Sequence, residues 1–320
     1  MPKVFIIIVN FNGWPDTLEC LGSLEKVDYD NFEVVLIDNA STEKPPLYSV
    51  IPGLTRNLKV RQIYNDFNLG FAGANNQGIK MAQGCGADYI LLLNNDTTVE
   101  PDFLNKLVEA AQSDDKIGII GPYIYYYDDP AKIQFAGGKI NWSKTRGEHI
   151  LQLNSDVIPA KAGIQINSGL NSDLDSRFRG NDRPVSYITG CALMTKREVV
   201  EKIGPLSEDY FLYYEDTDWC QRAKNAGYKC AIVPESKIYH KQSKSAGEFS
   251  YPYIYYHSRN GLIFGWKFGP KIIVAILSVW IFLKQIIKYL TGYKRAWARP
   301  VMKGVVDFWK RKRGKLEGYY

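Results

Sequence analysis

Short apolar runs alternate with helix-like segments along the first 120 residues of this 320-residue chain. The runs are rich in Val, Ile and Leu and end in polar residues, which is typical of buried strands. Strands that alternate with helices indicate an α/β fold with a largely parallel sheet. The predicted strands are residues 4–9, 32–37, 60–64, 89–93 and 117–120, and the predicted helices are about 15–25, 70–82 and 101–112.

The second half of the chain is less regular. Tyrosine-rich and apolar segments predict antiparallel additions to the sheet, and two helices and a last strand follow. The predicted strands here are 123–127, 133–140, 187–194 and 229–233, and the predicted helices are about 196–202 and 216–226.

Three polar clusters each follow a strand-like apolar run. The run 34–37 leads into Asp38, the run 89–93 into residues 94–96, and the run 210–214 into residues 215–218. The carboxyl ends of parallel strands meet at one edge of the sheet, where polar ligands bind. A single cluster would be a weak signal, because Asp is also a common turn residue. Three clusters, with His240 after another strand-like run, predict a metal and diphosphate site.

Residues 154–183 interrupt the pattern with a polar segment. The nonapeptides 157–165 and 174–182 can be encoded by DNA sequences that are reverse complements of each other at all nine positions. This indicates an inverted repeat that was inserted in frame, similar to translated dispersed palindromic repeats of bacterial genomes. We expect a tolerated surface loop without a catalytic role, so that deletion of 155–183 leaves folding and activity largely intact. An ordinary family-specific loop is the alternative.

Composition and charge divide the chain into two parts. Apolar content of 45% and charged content of 23% are ordinary for a globular protein. Residues 261–320 hold 13 basic and two acidic residues, a local net charge of +11, so residues 1–260 carry −5 of the total of +6. We therefore predict a mildly acidic domain over 1–260 and a basic helical tail over 261–320 that meets an anionic surface, either a membrane or a nucleic acid. No helix-turn-helix, zinc or RNP pattern supports a nucleic-acid partner.

The tail contains a charge-free apolar run over residues 272–283. A transmembrane helix needs about 20 such residues, so this run is short. Lys284, Lys288 and Trp280 near the run predict an interfacial helix, and the basic run 310–313 adds attraction to anionic lipid. The alternative is a helix packed on the catalytic domain. The five cysteines are dispersed without a C-x-x-C pair, and no signal peptide is expected, which together favour a reducing compartment.

The polar clusters and loops together resemble the inverting, GT-A-type glycosyltransferases of family 2, especially the rhamnosyltransferase-like bacterial branch. The resemblance covers about residues 4 to 245, in family order, and excludes the polar insert and the tail. It implies a Rossmann-like fold that binds a nucleotide-diphosphate sugar. The matching segments are 8–12, 35–42, 68–76, 93–96, 189–192, 211–218 and His240.

The resemblance implies a donor-binding role for seven residues on the first four strands and their loops. Asp38 would bond the base or ribose, although a turn cap with Asn39 and Ser41 is the simpler interpretation of that motif alone. The loop 68–76 would face the nucleotide with its backbone N–H groups, or would be a plain helix start. The implied donor-binding residues are Asn10, Asp38, Asn68, Gly70, Asn75, Asn94 and Asn95.

The resemblance also implies a divalent metal, Mn²⁺ or Mg²⁺. The segment 94–96 stands where the family has D-x-D, so only Asp96 supplies a full negative charge there. Asp96 is the predicted direct ligand, and Asn94 is an accessory or sugar contact. His240 is the predicted second ligand, since a neutral imidazole suits Mn²⁺.

Inverting transfer needs one base to take the proton from the acceptor hydroxyl. The resemblance assigns that role to Asp216, with Glu215 positioning the acceptor or the base; the alternative is ordinary negative charge at a helix N-terminus. The small residues Gly190, Cys191 and Ala192 would line the acceptor side.

The resemblance thus predicts an enzyme that transfers a sugar to a lipid-linked or polysaccharide acceptor. The candidate donors are dTDP-rhamnose, which would supply rhamnose, and a UDP-sugar. We expect it in the bacterial cytoplasm, at the inner face of the cytoplasmic membrane. A catalytically silent sugar-nucleotide-binding protein of the same fold and a nucleotidyltransferase are the alternatives.

Overall fold

The computed structural model describes residues 1–43, 58–151, 183–241 and 250–319. The strands in this described part are β1 (Val4–Asn10), β2 (Phe32–Asp38), β3 (Val60–Tyr64), β4 (Tyr89–Asn94), β5 (Thr97–Val99), β6 (Ile117–Tyr126), β7 (Ile133–Phe135), β8 (Gly138–Asn141), β9 (Arg146–His149), β10 (Arg183–Val185), β11 (Ala192–Lys196) and β12 (Lys229–His240). The helices are α1 (Trp14–Leu24), α2 (Gly70–Gly84), α3 (Phe103–Ser113), α4 (Arg197–Ile203), α5 (Glu215–Asn225), α6 (Tyr251–Phe268), α7 (Lys271–Leu290) and α8 (Arg295–Trp309).

The central sheet is mixed and has a parallel half. Its order is β10-β12-β6-β11-β4-β1-β2-β3, with β5 added to β12 and β7 to β6. Strands β4, β1, β2 and β3 are parallel neighbours, whereas β11 runs antiparallel between β4 and β6. The carboxyl ends of the parallel strands therefore meet at one edge, where Asn10 is in register with Asp38 and Val9 with Asn94.

The predicted α/β fold is confirmed, and the strand boundaries in the second half are where the sequence prediction fails. Residues 117–120 and 123–127, predicted as two strands, belong to the single strand β6. The strand predicted to end at residue 233 continues as β12 to His240, past a bulge between Val233 and Lys237. Both differences arise because β6 and β12 pair with each other, so that tertiary pairing carries each strand through a turn-like sequence.

Two further predicted strands are shorter than expected. The strand predicted over 187–194 begins only at Ala192 and runs to Lys196 as β11, and residues 133–140 split into β7 and β8. Strand β8 leaves the central sheet and pairs with β9. The predicted polar insert lies outside the described residues apart from Arg183, which begins β10.

The segment 210–214 is a loop, which corrects the prediction of a strand before Glu215. Phe211, Tyr213 and Tyr214 all have positive φ, of 66°, 68° and 78°. Left-handed backbone at bulky residues is strained and persists only where neighbouring structure holds it. We call residues 210–214 the catalytic-side loop, because this segment leads directly into α5, which carries the predicted base Asp216.

Helix α6 holds the catalytic-side loop from the C-terminal side. The Asn260 side chain donates to the carbonyl oxygens of Tyr210 (3.0 Å), Leu212 (2.8 Å) and Tyr213 (3.0 Å). Arg259, also fully buried, donates to the Tyr210 carbonyl at 3.1 Å. The predicted boundary between residues 260 and 261 thus falls inside α6, at the point where this helix contacts the rest of the chain.

Helices α7 and α8 pack against α6 and each other. Tyr255 of α6 donates to the buried carboxylate of Asp307 on α8 at 2.8 Å, and Trp309 donates to Ser278 of α7 at 3.1 Å. Within the described residues, α7 is the one helix long and apolar enough to cross a membrane by length and composition.

Candidate active site

A cavity of about 570 Å³ opens at the carboxyl edge of β1, β2 and β4. The predicted site residues that line it are Asn68, Gly70, Asn75, Asn94, Asn95, Asp96, Cys191 and His240. Those that do not line it are Asn10, Asp38, Gly190, Ala192, Glu215 and Asp216.

The loop that enters α2 is joined to the end of β2 through Asn39. The Asn39 side chain donates to Asn68 Oδ1 (2.9 Å) and accepts from the Leu69 backbone N–H (3.0 Å). Gly70 follows with φ of +74°, and a Cβ there would lie 2.4 Å from the Phe211 carbonyl oxygen. The Phe71 N–H donates to that same oxygen at 2.8 Å. Glycine is therefore required where this loop meets the catalytic-side loop.

Asn10 and Asp38 form a buried polar pair at the ends of β1 and β2. Asn10 Nδ2 donates to Asp38 Oδ1 at 2.8 Å, and the hydroxyl of Ser41 donates to the same oxygen at 2.5 Å. The Ser41 N–H also lies 3.3 Å from Asp38 Oδ2. The turn described as the simpler interpretation of Asp38 is thus present in the fold, and Asn10 orients the carboxylate.

Asn75 and Asn95 line the cavity with side chains that are held by hydrogen bonds. Asn75 Nδ2 donates to the Phe71 carbonyl at 2.9 Å, which stabilises the first turn of α2. Asn95 Nδ2 donates to Thr17 Oγ1 at 2.9 Å and so connects the end of β4 to α1.

Asp96 and His240 meet at the cavity wall. His240 Nε2 lies 3.1 Å from Asp96 Oδ1, and both side chains are largely buried. On the other side of the ring, His240 Nδ1 lies 2.7 Å from Gln134 Oε1. An amide oxygen can only accept, so Nδ1 carries the proton and Nε2 faces the carboxylate.

These two side chains fit a divalent cation. A carboxylate and an imidazole are a common pair of metal ligands. The second nitrogen of such an imidazole is usually fixed by a hydrogen bond, as Gln134 fixes His240 here. The described residues contain no group of three or more His, Cys, Asp or Glu side chains that could hold a metal, so the remaining ligands would come from the donor diphosphate and water. Burial lowers the pKa of His240, but Cys191 and Asp96 outweigh it and raise the pKa well above its ordinary value.

Asp216 lies in the first turn of α5 and is held by backbone amides. Its Oδ2 accepts from the Gly190 N–H at 2.7 Å, and its Oδ1 accepts from the Thr217 N–H at 2.6 Å. Burial raises the pKa of this carboxyl, and these hydrogen bonds oppose that change. A carboxylate with a raised pKa and a fixed orientation is a better proton acceptor near neutral pH than an exposed one.

Glu215 is buried beside Asp216. Within the described residues its Oε2 atom has no hydrogen-bond partner. Burial, followed by the charge of Asp216, raises its pKa to about 8. Glu215 therefore remains protonated at neutral pH, whereas Asp216 accepts three hydrogen bonds as a carboxylate does.

The predicted acceptor-side segment crosses between the cavity and α5. A Cβ on Gly190 would lie 2.9 Å from the Phe71 ring and 3.5 Å from Asp216, so a side chain there would collide with Phe71. Cys191 lines the cavity, and its carbonyl accepts from the Asn94 N–H at 2.8 Å. Ala192 is fully buried and begins β11.

Cavity residues without an assigned role in the sequence prediction include Asn39, Gln134, His149 and Tyr253. Asn39 had a signal, since it directly follows Asp38. Gln134 and His149 are carried by β7 and β9, in the irregular middle of the chain where no pattern identifies the inward face. The ring of His149 packs edge-on against Phe135, and burial lowers its pKa.

Comparison with known proteins identifies the family. Residues 5–204 match the profile of Glycosyl transferase family 2. The chain belongs to this family. It is a glycosyltransferase with the GT-A fold, as the sequence prediction stated. Asp216, Glu215 and His240 lie beyond the matched residues.

Curated relatives include rhamnosyltransferases. The chain is 26% identical over 279 residues to the N-acetylglucosaminyl-diphospho-decaprenol L-rhamnosyltransferase of Mycobacterium tuberculosis, covering 83% of this chain and 86% of the relative. It is 24% identical over 238 residues to the dTDP-rhamnosyl transferase RfbF of Shigella flexneri, covering 74% and 69%. An uncharacterized protein of Sinorhizobium fredii is 29% identical over 258 residues, 78% of this chain, which spans only 26% of that protein's length.

Solved structures share the fold at low identity. GalNAc-T7 with UDP, GalNAc and Mn²⁺ matches at a TM-score of 0.57 and 19% identity, over 75% of this chain and 44% of that one. The mannosyltransferase PcManGT of Pyrobaculum calidifontis, in complex with GDP-Man and Mn²⁺, matches at a TM-score of 0.56 and 15% identity, over 98% and 88%.

Proposed function

We propose that this glycosyltransferase moves rhamnose from dTDP-rhamnose to a lipid-linked acceptor in cell-surface glycan synthesis, at the cytoplasmic face of the membrane, with inversion at the anomeric carbon. The observation that carries the proposal is the pairing of Asp96 with His240 on a cavity that the donor-side loop 68–71 also lines. The activities for which the mycobacterial and Shigella relatives are named support the sugar and, for the mycobacterial enzyme, the lipid-linked acceptor. A polysaccharide acceptor and a UDP-sugar donor are tested in the same experiments.

In this proposal the donor lies along the carboxyl edge of the sheet. The Asn68–Gly70 loop lines the cavity and binds the nucleoside, and Asn94 and Asn95 contact the sugar or diphosphate. Asp38 does not line the cavity, and it would reach the base or ribose from the end of β2, where Asn10 and Ser41 hold its carboxylate. Asp96 and His240 would hold Mn²⁺ or Mg²⁺, which when bound supplies positive charge that stabilises the departing diphosphate. The two Mn²⁺-containing structural neighbours support a divalent ion.

The chemical step is a single in-line displacement. Asp216 accepts the proton of the acceptor hydroxyl while the hydroxyl oxygen bonds to the anomeric carbon. The bond from that carbon to the diphosphate oxygen breaks on the opposite face, and its electron pair leaves with the nucleoside diphosphate. The Gly190 and Thr217 N–H groups keep the carboxylate oriented, and neutral Glu215 adds no second negative charge beside it.

A donor screen tests this function. The purified protein is mixed with Mn²⁺ or Mg²⁺ and a panel of nucleotide sugars, and thermal shift and slow donor hydrolysis are measured. We expect a metal-dependent shift with dTDP-rhamnose above all other donors. Asp216→Asn should retain that shift and lose transfer by a factor on the order of 10² or more. Unchanged turnover in this variant would remove Asp216 as the base, and a folded protein that responds to no donor would favour a silent binding protein.

A further inference from the structure

Helix α7 has its apolar side on the outside. Its exposed face consists of large apolar side chains at helical spacing, with Ile272, Ile287 and Leu290 exposed by 75%, 63% and 77%. Its inward face contains the buried residues Val274, Ser278 and Gln285, and so is less apolar than the exposed face. Surface helices of soluble proteins have the opposite arrangement, with the apolar face turned to the core. The exposed apolar residues, which we call the α7 face, are Ile272, Ile273, Ile276, Val279, Trp280, Leu283, Ile287 and Leu290.

The charge around the α7 face has one sign. No acidic residue occurs anywhere between residues 261 and 306. Lys271 and Lys284 are exposed on α7, and Lys294, Arg295 and Arg299 follow at its C-terminal end. The ammonium of Lys284 lies 4.7 Å from the centroid of the Trp280 ring, so an indole and a cation stand together at the edge of the apolar face. Basic and aromatic residues that flank an apolar face are typical of helices in the headgroup region of anionic bilayers.

The packing of α7 favours a helix that lies on the membrane. Among the described residues, α6 and α8 cover one side of α7 through contacts such as Trp309 with Ser278, and the α7 face on the other side is exposed. Helix α6 is in turn fixed to the catalytic domain, where the Lys267 ammonium lies 2.6 Å from the buried carboxylate of Asp218. A spanning α7 would have to separate from α8 or carry its cations into the hydrocarbon.

We propose that the α7 face docks this enzyme on an anionic phospholipid surface, with α7 parallel to the membrane plane. This deepens the proposed function, since a lipid-linked acceptor would lie in that membrane, and α6, against which α7 packs, brings Tyr253 to the cavity. Docking is measured by lipid binding, and the transferase assignment is measured by the response to donors. Either proposal can therefore fail while the other stands.

Vesicle flotation of the full-length protein tests the docking. We expect binding to vesicles that contain phosphatidylglycerol, weaker binding to phosphatidylcholine alone, and loss of binding as salt is raised. The variant Ile272→Gln/Ile276→Gln/Leu283→Gln/Ile287→Gln should bind at least about tenfold less, with its donor-induced thermal shift unchanged. Lys284→Gln/Lys288→Gln should weaken binding to anionic vesicles, and Lys80→Gln/Lys224→Gln, which changes the net charge equally, should not.

Probe depth distinguishes an in-plane helix from a spanning one. Ile272→Cys, Val279→Cys and Leu290→Cys lie on one side of α7 and can be labelled in a Cys85→Ser background, because the other four cysteines are buried. An in-plane helix places all three probes at the same shallow depth, whereas a spanning helix places the middle probe deepest. The proposal would be overturned if the middle probe lay deepest, or if the quadruple Gln variant floated as well as the natural protein. It would also be overturned if the natural protein formed a dimer without lipid and this variant did not.

Discussion

At the residue scale, the site is defined by hydrogen bonds that fix how a few side chains present their reactive atoms. His240 shows this clearly, because Gln134 fixes the Nδ1 proton and leaves Nε2 for Asp96. Gln134 is a positioning residue and not a ligand in this arrangement. Its effect should therefore appear in metal affinity before it appears in maximal rate.

The variant Gln134→Leu removes the acceptor for the His240 Nδ1 proton. We expect the Mn²⁺ concentration for half-maximal donor hydrolysis to rise about 10- to 100-fold, with a smaller change in rate at saturating metal. Titration of Mn²⁺ in the hydrolysis assay measures this. Gln134→Glu keeps an acceptor and should recover most of the affinity, and Gln112→Leu, on the exposed surface of α3, is the control. An unchanged titration in Gln134→Leu would show that the contact does not orient the imidazole.

Glu215 should make stability depend on pH. In the unfolded chain its carboxyl ionises near its ordinary pKa of 4.5, but in the folded protein burial raises the pKa to about 8. Across this window the folded state holds a proton that the unfolded state has lost, so the free energy of unfolding falls as pH rises. The maximum effect is about 1.4 kcal/mol for each unit of pKa difference.

Glu215→Gln removes that titration and leaves a neutral side chain of similar shape. Urea unfolding at about pH 6 and about pH 9 should show a smaller loss of stability in the variant than in the natural protein. The exposed Glu109→Gln is the matched control and should not change the slope. A variant that loses stability with pH as steeply as the natural protein would contradict a protonated Glu215.

At the element scale, the decisive contact joins two loops. The Phe211 carbonyl oxygen accepts from the Phe71 N–H and lies only 2.4 Å from the position that a Cβ on Gly70 would take. The catalytic-side loop is held on its other side by Asn260 of α6. Strained backbone before Asp216 is thus fixed between α2 and α6.

Gly70→Ala and Gly84→Ala form a matched pair on α2. The first adds a Cβ against Phe211 at φ of +74°, and the second adds one in open space. We expect Gly70→Ala to lower the free energy of unfolding by about 1–3 kcal/mol and to weaken donor binding. Gly84→Ala should be neutral or stabilise by about 0.5–1 kcal/mol. Urea unfolding and donor-induced thermal shift measure both, and equal behaviour of the two variants would contradict the close approach.

Asn260→Ala removes a side chain that donates to three carbonyls of the catalytic-side loop. We expect destabilisation of about 2–4 kcal/mol, since buried acceptors are left unpaired. We also expect kcat to fall more than the donor Kd rises, because the loop leads directly into Asp216, whereas its contact with the Gly70 loop runs through the Phe211 carbonyl, which Asn260 does not bind. The control is Asn105→Ala, a half-buried asparagine that donates to the carbonyl of Asp28, far from the site. A fall in stability without any change in kcat would limit Asn260 to a structural role.

The sequence predicted the parallel half of the sheet and missed what depends on distant pairing. Val4–Asn10 and Phe32–Asp38 are buried on both faces, so their apolar runs identify them directly. The catalytic-side loop 210–214 is as apolar as a strand, but its residues pack against α6. The local sequence does not distinguish a buried strand from a buried loop of this kind. Asp96 and Asn94 could be predicted because they stand at the end of a strand-like run. Gln134 could not, because the pairing of β7 with β6 brings it to the site.

At the scale of the whole molecule, the C-terminal part of the chain is hydrogen-bonded to the segment that leads to Asp216. Besides Asn260, the Gly314 N–H donates to the Asp209 carbonyl at 2.8 Å, and the Leu316 N–H donates to the Tyr256 hydroxyl at 2.8 Å. The basic tail predicted from charge is therefore present as helices, and its last residues contact the segment that precedes Asp216. Its charge pattern could be predicted from the sequence, but these contacts could not.

A chain that ends at Gly269 should lose more than membrane binding. Removal of α7 and α8 leaves Tyr255 without Asp307 and exposes the buried face of α6. We expect lower thermal stability and a loss of donor hydrolysis even without lipid, whereas the quadruple Gln variant of α7 retains both. Thermal melts and the lipid-free hydrolysis assay separate these cases. Full lipid-free activity in the truncated chain would show that the tail is dispensable for catalysis.

The shared oxygen of Phe211 has a consequence for how the two substrates influence each other. In the proposed arrangement the 68–71 loop faces the donor and the 210–214 loop leads toward the acceptor, and the Phe211 carbonyl contacts both. A donor that tightens the Gly70 loop must then also reorder the surface that an acceptor meets. Since linkage is reciprocal, the factor by which donor increases acceptor affinity equals the factor by which acceptor increases donor affinity. The two half-sites would therefore fill cooperatively, and loss of this contact should reduce both factors equally.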